Sequence, residues 1–189
     1  MPRFSWAAWG LLVVVLDLPL LGWDVLPDVV GYAWLFVGLA GGAALHAGFA
    51  RARAAALVGI PVSVITGTPL TNNLVGVEWG GAFAGILVNV VVLHQIATAI
   101  RDLDPATGDS DHRRWASGIR LAAPIAGGVQ LVGLVLIATV LAIFYVVGLL
   151  ALVVVGIIAV VLLHRVNRAG WLGTVTPAAS AGPAEPATP

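Results

Sequence analysis

Residues 121–163 read LAAPIAGGVQLVGLVLIATVLAIFYVVGLLALVVVGIIAVVLL, without one charged side chain. This stretch decides the fold. A single helix of about 45 residues would be roughly 68 Å long, against a hydrocarbon thickness of about 30 Å. The run must fold back on itself, and the sequence places the reversal near Leu141 to Tyr145. Two antiparallel membrane helices are therefore predicted, at 118–139 and 143–164.

Four further stretches meet the requirement of roughly 20 apolar residues per crossing, at 4–22, 29–49, 54–71 and 80–100. The third is the shortest and carries Pro61 at its centre. Proline is tolerated there because neighbouring helices can satisfy the freed carbonyl. The predicted fold is all-α: a polytopic membrane helix bundle of about six transmembrane helices over residues 1–171. The Pro- and Ala-rich tail 172–189 lacks the apolar surface needed to order itself and is predicted to be disordered.

Composition agrees. The chain is 60% hydrophobic and 10% charged, with a mean hydropathy of +1.03. A soluble domain carries about 25% charged residues, so this chain could not cover a surface in water. Its formal net charge is zero, which gives nucleic acid nothing to bind. The absence of cysteine excludes disulfides and thiolate metal sites. Arg3 and the run from Phe4 to Leu21 could pass for a signal peptide. The run is long, however, and no small-x-small cleavage site follows. It reads as a retained first helix.

All nine basic residues are arginine, and they alternate along the chain. Arg3 precedes the first helix, and Arg51 and Arg53 fall between the second and third. Arg101, Arg113, Arg114 and Arg120 flank the loop after the fourth, while Arg165 and Arg168 follow the sixth. The remaining connections hold none. Arginine marks the cytoplasmic side, so six spans with both termini in the cytoplasm, in the cell membrane, are predicted. By depth, Trp6, Trp9, Trp115 and Trp171 fall at the inner interface. Trp23, Tyr32, Trp34, Trp79, Phe144 and Tyr145 fall at the outer one, depths that amphipathic rings favour.

Small residues should mark the helix interfaces, since lipid offers no hydrophobic gain on association. Gly31, Gly38, Gly42 and His46 share one face of the second helix. Gly81 and Gly85 lead to Asn89 in the fourth, and Ala123, Ala126, Gly127, Gln130 and Gly133 share a face of the fifth.

Ionisable and amide side chains at depth are the functional candidates. Asp17, Asn89, His94 and Gln130 descend through the predicted membrane as a sparse polar path. Asn89 and Gln130 could equally bond each other, and His46 and His164 could sit at the negative poles of helix ends. The outer turn Asp24-Val25-Leu26-Pro27-Asp28 offers Asp28 as an N-cap. Together with Glu78 it offers an acidic mouth that concentrates cations. The loop acids Asp102, Asp104, Asp109 and Asp111 do not match a calcium loop, since the sixth position is Thr107 and no Glu closes it. No catalytic, cofactor-binding or metal-binding residue is predicted.

The stretch from Asp17 to Tyr32 resembles a group of small bacterial polytopic membrane proteins. That group has an early Asp in the first span and a D-x-LPD-x-x-GY segment opening the second. Here the segment is Asp24-Val25-Leu26-Pro27-Asp28-Val29-Val30-Gly31-Tyr32, with Val25 and Val30 as mild departures. The resemblance implies a shared turn and topology, and no activity.

Two functional readings follow. The first is a non-catalytic accessory, scaffold or sensor protein, embedded in the lipid bilayer and meeting another membrane protein or a second copy of itself. The alternative is a transporter or channel for a proton, a small cation or a small neutral solute. An intramembrane enzyme is disfavoured, because Asp17 falls in the opposite leaflet from His46 and His94.

Overall fold

The structure is a computed structural model and describes residues 4–16, 25–67, 75–104, 110–135 and 142–169. The described chain is helical throughout: α1 (Phe4–Val15), α2 (Val25–Gly38), α3 (Ala40–Ala43), α4 (Ala47–Gly67), α5 (Val75–Leu103), α6 (Asp111–Val135) and α7 (Ala142–Ala169). Four stretches are long and apolar enough to cross a membrane: Ala47–Thr66, Trp79–Leu103, Asp111–Val135 and Ile143–Ala169. Phe4–Val15 and Asp28–Gly38 are shorter apolar helices. The tail 172–189 lies outside the described residues.

Apart from α3, each helix packs on the next, and α7 packs back on α1. The six helices other than the four-residue α3 thus close into a ring. Neighbours run antiparallel, so Arg53, Arg101, Arg113 and Arg168 all lie at one end of it, called here the arginine end. At that end Phe4 meets Phe49 with ring centroids 5.1 Å apart. Arg165 covers the Trp115 ring at 4.7 Å. The largest fully buried side chains, among them Leu39, Ile96, Ile100, Leu163 and Val166, fill the same half.

Several expectations are corrected. The second helix does not run over 29–49. It starts at Val25, is interrupted at Leu39 and ends at Ala43. Asp28 therefore sits in the first turn of α2 rather than at its N-cap. The third helix starts at Ala47 rather than near residue 54, so Arg51 and Arg53 lie inside α4. Arg53 stays there by reaching sideways: its Nε donates to the Phe36 carbonyl at 3.2 Å, and its guanidinium lies 4.1 Å above the Phe36 ring. Helix α6 starts seven residues before the expected position 118, because Ser110 caps it. The Arg113 N–H donates to Ser110 Oγ at 3.2 Å, an N-cap contact, and the hydroxyl donates in turn to Asp104. Trp34 lies toward the arginine end of α2 rather than at the opposite end. It meets Trp6 edge-on at 6.0 Å.

Glycine decides how closely α1 and α2 cross. A Cβ at Gly10 would stand 2.5 Å from the Gly31 carbonyl oxygen, and one at Gly38 would strike the Ala7 backbone. At Gly85 in α5, by contrast, a Cβ would meet nothing within 4 Å. Gly38→Leu should accordingly cost about 1–3 kcal/mol through overpacking, while Gly85→Ala should be neutral. Reversible unfolding in mixed detergent micelles measures both.

Candidate functional site

The ring encloses a cavity of about 400 Å³, lined by side chains from all six of its helices. It occupies the half away from the arginines, from Asp28, Thr66 and Tyr145 near that end down to Asn89, Leu93 and Leu11. Beyond Leu93 the solid core of the arginine half begins.

Its polar wall is built from the α4 backbone outward. Gly59 has no side chain, and a Cβ there would stand 2.6 Å from two atoms of the Tyr32 ring. The ring therefore lies flat on α4, and its hydroxyl reaches across to donate to Asn89 Oδ1 on α5 at 2.8 Å. One turn further, Ser63 is 5% exposed and donates to the Gly59 carbonyl at 2.8 Å. Its lone pairs remain for the cavity. On the far wall Gln130 is 4% exposed. Among the described residues its Oε1 has no hydrogen-bond partner. A Cβ at Gly148 would strike the Gln130 backbone, so α7 presses against α6 at this level. Gly127 faces Val90 and Ile86 across the α5–α6 contact, which sets Gln130 about one turn further from the arginine end than Asn89.

The expected polar path is thus divided. Asn89 and Gln130 share the cavity, but Asn89 bonds Tyr32 and not Gln130. His94 does not line it. Pro124 has no N–H, so the carbonyl four residues back, that of Arg120, loses its helical donor. His94 Nδ1 lies 3.0 Å from that carbonyl. A carbonyl only accepts, so Nδ1 carries the proton and His94 repairs the break. His46 is also structural, though not as expected. It precedes α4, and its Nδ1 accepts the Gly48 N–H at 3.0 Å. It therefore caps a positive helix pole, with Nε2 3.7 Å from Asp102.

Asp17 and Asp24 lie outside the described residues, and Glu78 falls in the first turn of α5. Asp28 lines the cavity from the first turn of α2. Ser63 and Thr66 were not singled out from sequence, and the two tyrosines were read as interfacial rings. The spacing Gly59, Ser63, Thr66 on one face of α4 was the available signal. Among the described residues no group of three or more His, Cys, Asp or Glu could hold a metal. Among the described residues no arginine or histidine lines the cavity.

No protein-family model, curated protein or solved structure matches the chain.

Two outcomes check this geometry. His94→Leu should cost about 1–3 kcal/mol by stranding the Arg120 carbonyl. Pro124→Ala should recover most of that loss by restoring the missing N–H, which detergent unfolding of the single and double variants would read. A double-mutant cycle between Tyr32→Phe and Asn89→Leu should return a coupling of about 0.6–1.7 kcal/mol. In a Gly59→Val background, where the Tyr32 ring is displaced, the coupling should vanish.

Proposed function

We propose that the chain is a multi-pass protein of the cell membrane with six spans and cytoplasmic termini. Its role is non-catalytic, that of an accessory or sensor protein that receives a small solute in the cavity of its helix ring. The observation that carries this reading is the position of the cavity along the ring. Its polar groups stand in one half of the ring, and the other half is filled by large apolar side chains. If arginine marks the cytoplasmic side, the cavity faces outward and its floor is closed. Lipid would solvate the exterior, where Leu121, Val135 and Ile143 are each about two-thirds exposed. A second membrane protein, or a second copy, would read out occupancy through that surface.

A transporter for a proton, a small cation or a neutral solute would use the same cavity and would need the arginine half to open. Helix breaks favour it: the interruption at Leu39, and Pro61 and Pro124 inside α4 and α6. Such breaks recur where helices move against each other in transporters.

The absence of cysteine gives a clean background for thiol labelling. Gly85→Cys should react with a small charged methanethiosulfonate added outside intact cells. Gly108→Cys should react only in inside-out vesicles. Ala97→Cys, placed where the native residue is 1% exposed, should stay unreactive from both sides. Labelling of Ala97→Cys from the cytoplasmic side would favour the transporter. Labelling of Gly85→Cys from that side alone would overturn the outward-facing cavity.

A further inference from the structure

Polar side chains in a low-dielectric bundle are normally consumed by neighbours, because an unmatched buried amide oxygen is costly. Most of those described here are consumed in this way. Asn89 Oδ1 is bonded by Tyr32, Ser63 by the Gly59 carbonyl and His94 by the Arg120 carbonyl. Among the neutral side chains on the cavity wall Gln130 is the exception: its Oε1 is buried and without a donor among the described residues.

We propose that the cavity takes an uncharged molecule carrying an O–H or N–H donor on an apolar body, and that Gln130 Oε1 accepts that donor. This rests on the cavity being a binding site, as argued above. Charge narrows the ligand class. Among the described residues no cationic side chain lines the cavity to hold an anion. Its one carboxylate with a described side chain, Asp28, already has a partner within the protein. The other polar groups of the described lining are all neutral: an amide on each of two walls, two phenols and two hydroxyls. The body must be apolar, because Leu11, Val14, Leu149, Leu152 and Val153 make up the rest of the wall. Size permits an aromatic ring, since about 150 Å³ suffices for benzene and the cavity offers about 400 Å³. The Gln130 amide nitrogen, beside its oxygen, can donate to an acceptor on the same molecule, which favours a hydroxyl or a primary amide. The donor could belong to a free solute or to the hydroxyl of a neutral lipid. The chemistry at Gln130 is the same.

The test uses full-length Gly85→Cys protein in phosphatidylcholine nanodiscs and follows the rate of thiol alkylation. The probes are 4-ethylphenol and its methyl ether, which differ in the donor alone, and dioleoylglycerol as the lipid hydroxyl. The phenol should slow alkylation at concentrations at least tenfold below those the ether requires. Adding Gln130→Leu should abolish that preference, and Gln130→Glu should restore it in part, because a carboxylate still accepts. Protection by dioleoylglycerol alone, also lost in Gln130→Leu, supports the same chemistry and makes lipid its source. Equal protection by phenol and ether, or a preference that survives Gln130→Leu, overturns the inference while leaving the cavity in place. Failure of Gly85→Cys to react at all overturns the underlying reading instead.

Discussion

Every backbone carbonyl and N–H in a lipid-solvated bundle must find its partner within the protein. This constraint organises the structure more than any single contact. Regular helix answers it for most of the chain, and the exceptions each recruit a side chain. Pro124 frees the Arg120 carbonyl, and His94 binds it. The start of α4 has unpaired N–H groups, and His46 caps one. Ser110 does the same for α6. Arg53, held inside α4, donates to the Phe36 carbonyl beside the break in α2.

Once these repairs are set aside, few polar side chains in the ring are left to explain. Those that remain gather in one place. Tyr32 and Asn89 bridge α2 and α5 across the cavity, Ser63 and Thr66 line α4, and Gln130 faces them from α6. The close crossings at Gly10 and Gly38 draw one side of the ring together. Gly85, where no neighbour approaches, leaves space on the other. The same residue type thus closes the ring at α1–α2 and opens it at α5.

Much of this was legible in the sequence. Apolar run lengths gave the long helices, and the uncharged stretch 121–163 required two antiparallel ones; the reversal expected near Leu141 to Tyr145 is displaced, because α7 already includes Ala142 to Tyr145. The faces carrying Gly31 and Gly38, or Ala123 to Gly133, do face other helices. Helix ends were less legible, because hydropathy stops where the chain becomes polar while the helix continues through a cap such as Ser110. The candidate site was half visible. Asn89 and Gln130 were selected by depth alone, which cannot distinguish a residue facing a cavity from one facing a backbone break. Hence His94 was grouped with them, although Pro124, four residues beyond Arg120, held the clue to its role. Tyr32 was read as an interfacial ring because only the flat seat at Gly59 turns its hydroxyl inward.

The central claim is that space and an unmatched acceptor coincide at Gln130. An experimental density map of the protein in lipid, sharp enough to place side chains and bound molecules, tests it most directly. The account predicts non-protein density within hydrogen-bonding distance of Gln130 Oε1, with Asn89 still bonded to Tyr32. A closed interior, with the Gln130 and Asn89 amides bonded to each other and no density between α5 and α6, would contradict it.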